Sequence, residues 1–214
     1  MRAESDSWST VIVVGALAML AVAPGCSSGT TGTAEPPGDA QCSYPTGPYG
    51  ERSGQTVPPG LSWQGYRDQG PKAGTVSIED YLDCDGKKGV RALLVDQSAA
   101  WCDVCRTTAT QLDGEMRDGW RERGIRVLML VTEGADHTPA TVATAQTWEQ
   151  RFGGDGLTVV ADPGYSFRDT AGAALAPLPF RVLVDPRTMA VVDISVGGTR
   201  DYSSVLALAE KNKD

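Results

Sequence analysis

Cys102 and Cys105 are the side chains of this 214-residue chain best placed to do chemistry. They stand in Trp101-Cys102-Asp103-Val104-Cys105, with an aromatic residue directly in front. An apolar run, Val90-Arg91-Ala92-Leu93-Leu94-Val95, precedes them, and a helix-like run follows from Asp103 to about Arg123. A thiolate is the nucleophile in disulfide chemistry, and a free cysteine is mostly protonated at neutral pH. At a helix N-terminus a cysteine faces unsatisfied N–H groups and the positive end of the helix dipole, which favour its ionised form. A second cysteine one turn further in can resolve a mixed disulfide by intramolecular attack. Strand, tight turn and helix, with two thiols at the turn, therefore predict thiol–disulfide exchange. The same spacing could be half of a zinc site, but zinc needs two more ligands. The remaining cysteines and the lone His137 form no second knuckle, so neither a metal nor a cofactor is expected.

The elements that must hold this turn read as alternating β and α. Ala92 to Val95 is short and wholly apolar, as a strand buried on both faces should be. Ala109, Leu112, Met116 and Trp120 share one face of the helix after the thiols, and Gly124 ends it. Ile125 to Val131 is a second buried strand. Pro139 sits where a first helical position should be, and Val142, Ala145, Trp148 and Phe152 form the next apolar face. Leu157 to Ala161 is a third strand, followed by a turn and a short segment from Tyr165 to Ala174. Arg181 to Val184 and Ala190 to Ile194 are joined closely enough for an antiparallel hairpin. Tyr202, Val205, Leu206 and Ala209 give the last helix its buried face. Parallel βαβ strands, a hairpin and a final helix make a three-layer α/β/α sandwich with a mixed central sheet.

Upstream, Val11 to Ala23 is mostly apolar, too short to span a bilayer but suited to a signal-peptide core. The run ends Val22-Ala23-Pro24-Gly25-Cys26, which resembles a bacterial lipobox with Cys26 as the lipidated residue, although Ala23 stands where Leu is usual. The alternative is ordinary secretion with cleavage nearby and a free Cys26. Residues 26–41 are rich in Ser, Gly, Thr and Pro and read as a flexible tether. Residues 42–89 read as an N-terminal extension packed on the domain of residues 90–214. Without the first forty or so residues, the leader and tether, about 170 remain, enough for one domain with a proper core. The net charge is −8 for the whole chain, which argues against nucleic acid or an anionic membrane surface as partner.

A chain exported and anchored in this way works where disulfides persist. Cys42 lies in a Pro/Gly/Tyr-rich stretch and Cys84 in the turn Asp83-Cys84-Asp85-Gly86. These two are expected to pair, closing a loop of roughly 43 residues and stabilising the fold by about 4 kcal/mol; two free thiols are the alternative. Leu61 to Tyr66 reads as a short edge strand, and Ser77 to Leu82 as a short helix capped by Ser77.

The stretch from Val90 to Asp214 resembles the thioredoxin-like superfamily, and within it the membrane-tethered thiol–disulfide oxidoreductases of the TlpA/ResA kind. Ala100-Trp101-Cys102-x-x-Cys105 at a strand end carries the match, with Asp96 six residues ahead of Cys102 and Leu178-Pro179 ahead of Phe180-Arg181-Val182-Leu183-Val184-Asp185. The resemblance implies that Asp96 is a buried proton acceptor and that Pro179 is the cis-proline placing a substrate edge beside the reactive sulfur. It also implies Cys102 as attacking thiol and Cys105 as resolving thiol. The clients would be disulfide-containing exported proteins, and a membrane-embedded or periplasmic thiol would donate electrons. The expected location is the bacterial cell envelope, lipid-anchored and facing the periplasm or exterior.

Asp103-Val104 departs from the Gly-Pro common in thioredoxins. A carboxylate in the first helical turn should oppose thiolate formation and keep the reduction potential low. Two other activities belong to the same fold. A peroxiredoxin-like peroxidase wants Pro and Thr or Ser where this chain has Val95 and Ala99. A Sco-like copper carrier would use two thiolates and a distant histidine such as His137, but its cysteines are separated by three residues rather than two. His137 is expected to be an ordinary loop histidine.

Overall fold

A computed structural model describes residues 42–50, 52–68, 70–154, 156–169, 177–198 and 200–213. The expected leader, Cys26 and the tether lie outside the described residues, as do residues 170–174 of the segment expected from Tyr165 to Ala174. Among the described residues no helix is long and apolar enough to cross a membrane.

The apolar runs form one mixed sheet. Its strands are β1 (Ser62–Arg67), β2 (Gly74–Ser77), β3 (Ala92–Ser98), β4 (Ile125–Val131), β5 (Leu157–Ala161), β6 (Phe180–Asp185) and β7 (Ala190–Val196). They lie in the order β2-β1-β5-β4-β3-β6-β7. β3, β4 and β5 run parallel, while β6 is antiparallel to β3 and β7 to β6. The strand that leads to the thiols thus has neighbours on both sides, and all seven of its residues are buried. That is why it carries almost no polar residue until its C-terminal end.

Helices α1 (Asp103–Glu115), α2 (Val142–Phe152) and α4 (Ser203–Lys211) pack on one face of the sheet. Ala109, Leu112, Ala145, Trp148, Val205 and Leu208 meet Leu94, Val127, Met129 and Val159 there. The opposite face, with Leu93, Val95, Leu128 and Val160, is covered by Val57, Ile78, Leu82, Met189 and Phe167 of the short α3 (Ser166–Asp169). Three layers result, with the N-terminal segment forming most of the third. Each large aliphatic side chain buried this way stabilises the fold by about 2 kcal/mol.

Three expectations need correction. The helix after the thiols is not continuous to Arg123: it passes into a π turn at Met116–Trp120, and Asp118 and Gly119 leave helical geometry, with Gly119 at φ 104°. Trp120 nevertheless stays buried, edge-on to Tyr202 at 5.1 Å. The next helix starts at Val142, capped by the Thr141 side chain, rather than at Pro139. A Pro can precede a helix as well as open it, and a hydroxyl that accepts the Thr144 N–H decides the start. Finally, β1 is not an edge strand. It pairs antiparallel with β5 on one side and with β2 on the other, and the edge is β2.

The segment before β3 therefore both extends the sheet, through β1 and β2, and covers its second face with Val57, Ile78 and Leu82. Ser77 caps a 3-10 turn, Ile78–Tyr81, in a capping box with Asp80. Cys84 just beyond it is disulfide-bonded to Cys42, with the Cα atoms 5.7 Å apart. Arg187 in the β6–β7 turn donates to the Asp83 carbonyl at 2.6 Å and to the Asn212 carbonyl at 2.9 Å. Bridge and guanidinium together tie the first described residues to the hairpin and to the end of α4. Cys42→Ser with Cys84→Ser should therefore lower the melting temperature by roughly 10 °C, the equivalent of about 4 kcal/mol in a domain of this size. Thermal unfolding without reductant measures it, and a drop within error of zero would mean the bridge constrains nothing.

Candidate active site

Cys102 is the N-cap of α1. Its backbone is extended, and its Sγ accepts the Cys105 N–H at 3.1 Å. The sulfur thus satisfies one of the orphan donors of the first turn, the position from which a helix stabilises a negative charge. Cys102 and Cys105 are joined as a disulfide, with Cα atoms 5.2 Å apart. Cys105 is fully buried against Ala109 and the sheet, whereas Cys102 keeps a 6% exposed edge. Of the two, Cys102 is therefore the less deeply buried.

Asp103 is in the first turn, as its place in the sequence requires, but its side chain is 88% exposed and forms an ion pair with Arg106. Arg106 also donates to the Ala100 carbonyl at 2.7 Å. A carboxylate turned to water and paired with a guanidinium acts only weakly on a neighbouring sulfur. The brake expected from Asp103 is smaller than its position in the sequence implies.

Asp96 opens the polar C-terminal end of β3, on the face that Ala92 and Leu94 present to α1. It is fully buried. Ser98 donates its hydroxyl to Asp96 Oδ1 at 2.5 Å, while Oδ2 has no hydrogen-bond partner. Burial pushes the carboxyl up to about 6, against the opposing pull of the Ser98 hydrogen bond and the Arg181 charge. Pro179 follows a cis peptide bond from Leu178. It is buried directly ahead of β6, and its carbonyl accepts the Gly197 N–H at 2.8 Å.

Trp101 is 38% exposed beside the redox turn, and the residues that fix it were not legible in the sequence. Its Nε1–H donates to Glu133 Oε2 at 2.5 Å, and the Tyr165 hydroxyl donates to the other carboxylate oxygen at 2.5 Å. The Glu133 carbonyl accepts the Ala100 N–H at 2.8 Å. His137 stacks on the Trp101 ring, centroids 4.7 Å apart, with Nδ1 3.8 Å from Glu133 Oε2. It is thus a neighbour of the thiol turn rather than a loop histidine without partners. The Tyr165 hydrogen bond, then Trp101 and the His137 charge, hold the Glu133 carboxyl below its usual range. Nothing in the sequence ties position 133 to 101. Among the described residues no group of three or more His, Cys, Asp or Glu side chains is gathered to hold a metal ion.

No protein-family model matches the chain, and no curated protein does. Solved structures do. The chain is similar to a reduced 2-Cys peroxiredoxin of Plasmodium vivax, with TM-score 0.54 and 17% identity over 74% of this chain and 80% of that one. It is similar to a putative thiol:disulfide interchange protein DsbE from Chlorobium tepidum, with TM-score 0.51 and 19% identity over 75% and 94%. A thiol:disulfide interchange protein from Bacteroides sp. gives TM-score 0.51 and 18% identity over 74% and 91%. These likenesses define the architecture: the chain has a thioredoxin-like α/β fold.

The raised Asp96 carboxyl makes stability depend on pH. Its native midpoint, about 6, lies above the ordinary 3.8, so the folded state binds the proton more tightly than the unfolded chain. The stability this contributes is complete below about pH 4 and is lost as pH rises through about 6. Asp96→Asn should therefore be more stable than the parent at pH 7 by on the order of 3 kcal/mol, with the gain vanishing at pH 4. Chemical denaturation across that range tests it; a difference that does not change with pH would defeat the argument.

Proposed function

We propose that the protein is an exported, lipid-anchored thiol–disulfide oxidoreductase that reduces or exchanges disulfides in extracytoplasmic proteins. The observation that carries the reading is the pair itself. Cys102 caps α1 and keeps a small exposed edge, and Cys105 lies fully buried one turn below it. The membrane-tethered TlpA/ResA kind of oxidoreductase fits this arrangement best. Cys26 as lipid attachment and residues 26–41 as tether belong to the same proposal and rest on the sequence alone.

In the reaction, the Cys102 thiolate attacks one sulfur of the client disulfide. A Cys102–client bond forms and the other client sulfur leaves as a thiolate. Asp96 then takes the proton from the Cys105 thiol. The resulting thiolate attacks Cys102, forms the Cys102–Cys105 disulfide and expels the second client sulfur. Two electrons pass to the client, and a thiol donor must return them to the pair. Trp101, fixed by Glu133, and the chain around Pro179 would border the client segment. The peroxidase alternative is weakened by Ala99, buried and without a hydroxyl where that chemistry wants Thr or Ser. The copper-carrier alternative is weakened by His137, which stacks on Trp101 and faces Glu133.

The trapping variant decides the matter. Cys105→Ser cannot resolve the mixed disulfide, so it should accumulate covalent client adducts in the cell envelope that reductant releases. Cys102→Ser should trap none. A folded Cys105→Ser protein that forms no adduct, in cells or with a disulfide-bonded peptide, would count decisively against the reading.

A further inference from the structure

Arg181 is among the largest fully buried side chains of the protein, with 1% of its surface exposed. It sits in β6, two residues after Pro179, in a strand that is otherwise apolar up to its last residue, Asp185. A guanidinium cannot shed its charge at any pH the protein meets, and burying it is costly unless an opposite charge stands near. The sheet supplies one. In the antiparallel β3–β6 ladder Arg181 is the register partner of Asp96, so both side chains leave the same face, the one that carries α1. Directly opposed residues of such a pair are close neighbours. Arg181 Nη2 donates to the Gly197 carbonyl at 3.0 Å, and the guanidinium carbon lies 5.6 Å from the centre of the Tyr202 ring.

We propose that Arg181 is a positioning residue of the redox pair: its buried guanidinium sets the charge state of Asp96, and so the readiness of Asp96 to accept the Cys105 proton. The inference rests on the oxidoreductase reading for its consequence, but not for the coupling between the two charges. Burial alone would drive Asp96 to its neutral acid, which cannot accept a proton. The Ser98 hydrogen bond and, after it, the guanidinium oppose this, and the acid ends up near 6. When the mixed disulfide is resolved, the Cys105 proton moves to the Asp96 carboxylate, the Cys105–Cys102 bond forms, and the client thiolate leaves. Arg181 gives up and receives nothing; it acts through Asp96.

The other groups facing this pair are few. Ser98 donates to Asp96 from its own strand. Tyr202, ahead of α4, feels both charges, and Glu115 of α1 acts on Tyr202 in turn. Asp193 of β7 and Asp201 line, with Arg181 and Tyr202, a small cavity of about 30 Å3. Asp193 and Asp201 are the competing acids, and a charge cycle separates them from Asp96.

Two readouts test the proposal on the tethered-domain protein. The first is the pH profile of mixed-disulfide resolution, measured by mixing reduced protein with oxidised glutathione, for the parent, Arg181→Met, Arg181→Lys, Asp96→Asn and the Asp96→Asn/Arg181→Met double variant. Arg181→Met should move the midpoint upward by roughly one pH unit or more, Arg181→Lys should stay near the parent, and Arg181→Met should shift nothing once Asp96 is Asn. A midpoint unchanged in Arg181→Met, or a shift that survives in the Asp96→Asn background, overturns it. The second is the pH dependence of unfolding of the oxidised proteins, which reads the same coupling without any client. Should Arg181→Met not fold, Arg181→Gln takes its place in both. A coupling seen in unfolding, with no exchange by the parent, would sink the oxidoreductase reading and leave the Asp96–Arg181 pair standing. Its absence in both readouts sinks the pair.

Discussion

The structure depends on one conflict, a strand that is buried along its whole length and yet ends in three polar residues. Asp96, Gln97 and Ser98 are all fully buried, and a buried polar group is costly unless another group meets it. The partners these residues find account for much of the site. Ser98 donates to Asp96, and its carbonyl takes both the N–H and the hydroxyl of Thr132, which brings the end of β4 alongside. Gln97 donates to Asp162 at 3.0 Å, and Asp162 accepts the N–H and hydroxyl of Ser166, which fixes the turn after β5. Glu133 and Tyr165 are carried to Trp101 by those same two segments. The loops around the thiols are thus arranged by the need to satisfy the end of β3.

The electrostatics of the turn follow from which charges are dry and which are wet. Asp103 is closest in sequence to Cys102, but it faces water and is paired with Arg106, so solvent and partner blunt its field. Asp96 and Arg181 are buried, where charges are screened far less. The buried pair therefore outweighs the exposed one, although the exposed acid is the one a reader of the sequence notices first. Glu133 lies between these extremes, with its charge shared among an indole, a phenol and an imidazole.

Much of the architecture could be read from residue order. The apolar run before the thiols, the faces at Ala109 and Leu112 and at Ala145 and Trp148, and the hairpin near Asp185 all depend on local periodicity, and local periodicity survives folding. What escaped depends on contacts between distant segments. β1 is interior because β2 adds outside it, and Gly74–Ser77 is too short to announce a strand. The break at Gly119 was hidden because Trp120 keeps its place on the buried face across a π turn. Glu133, His137 and Tyr165 reach Trp101 only through the tertiary fold. Arg181 did leave a trace, a charge inside a run that otherwise reads as buried on both faces, and such a mismatch points to a partner in the core.

The two disulfides also differ in a way that follows from chain length. Linking Cys42 to Cys84 closes a 42-residue separation, whereas Cys102 and Cys105 are only three residues apart. On the chain-entropy model the long loop is worth about 4 kcal/mol of stabilisation and the short one only about 2. The long-range bridge therefore adds more to the stability of the fold than the local one does. The surroundings act in the same direction. Cys42–Cys84 joins the extension to the 3-10 turn, so opening it releases a segment that completes the second core. Opening Cys102–Cys105 releases no segment, because α1 and β3 remain packed on either side, and the sulfur that gains a charge is already the N-cap of its helix. Opening the second bond therefore leaves in place the sheet that holds its turn.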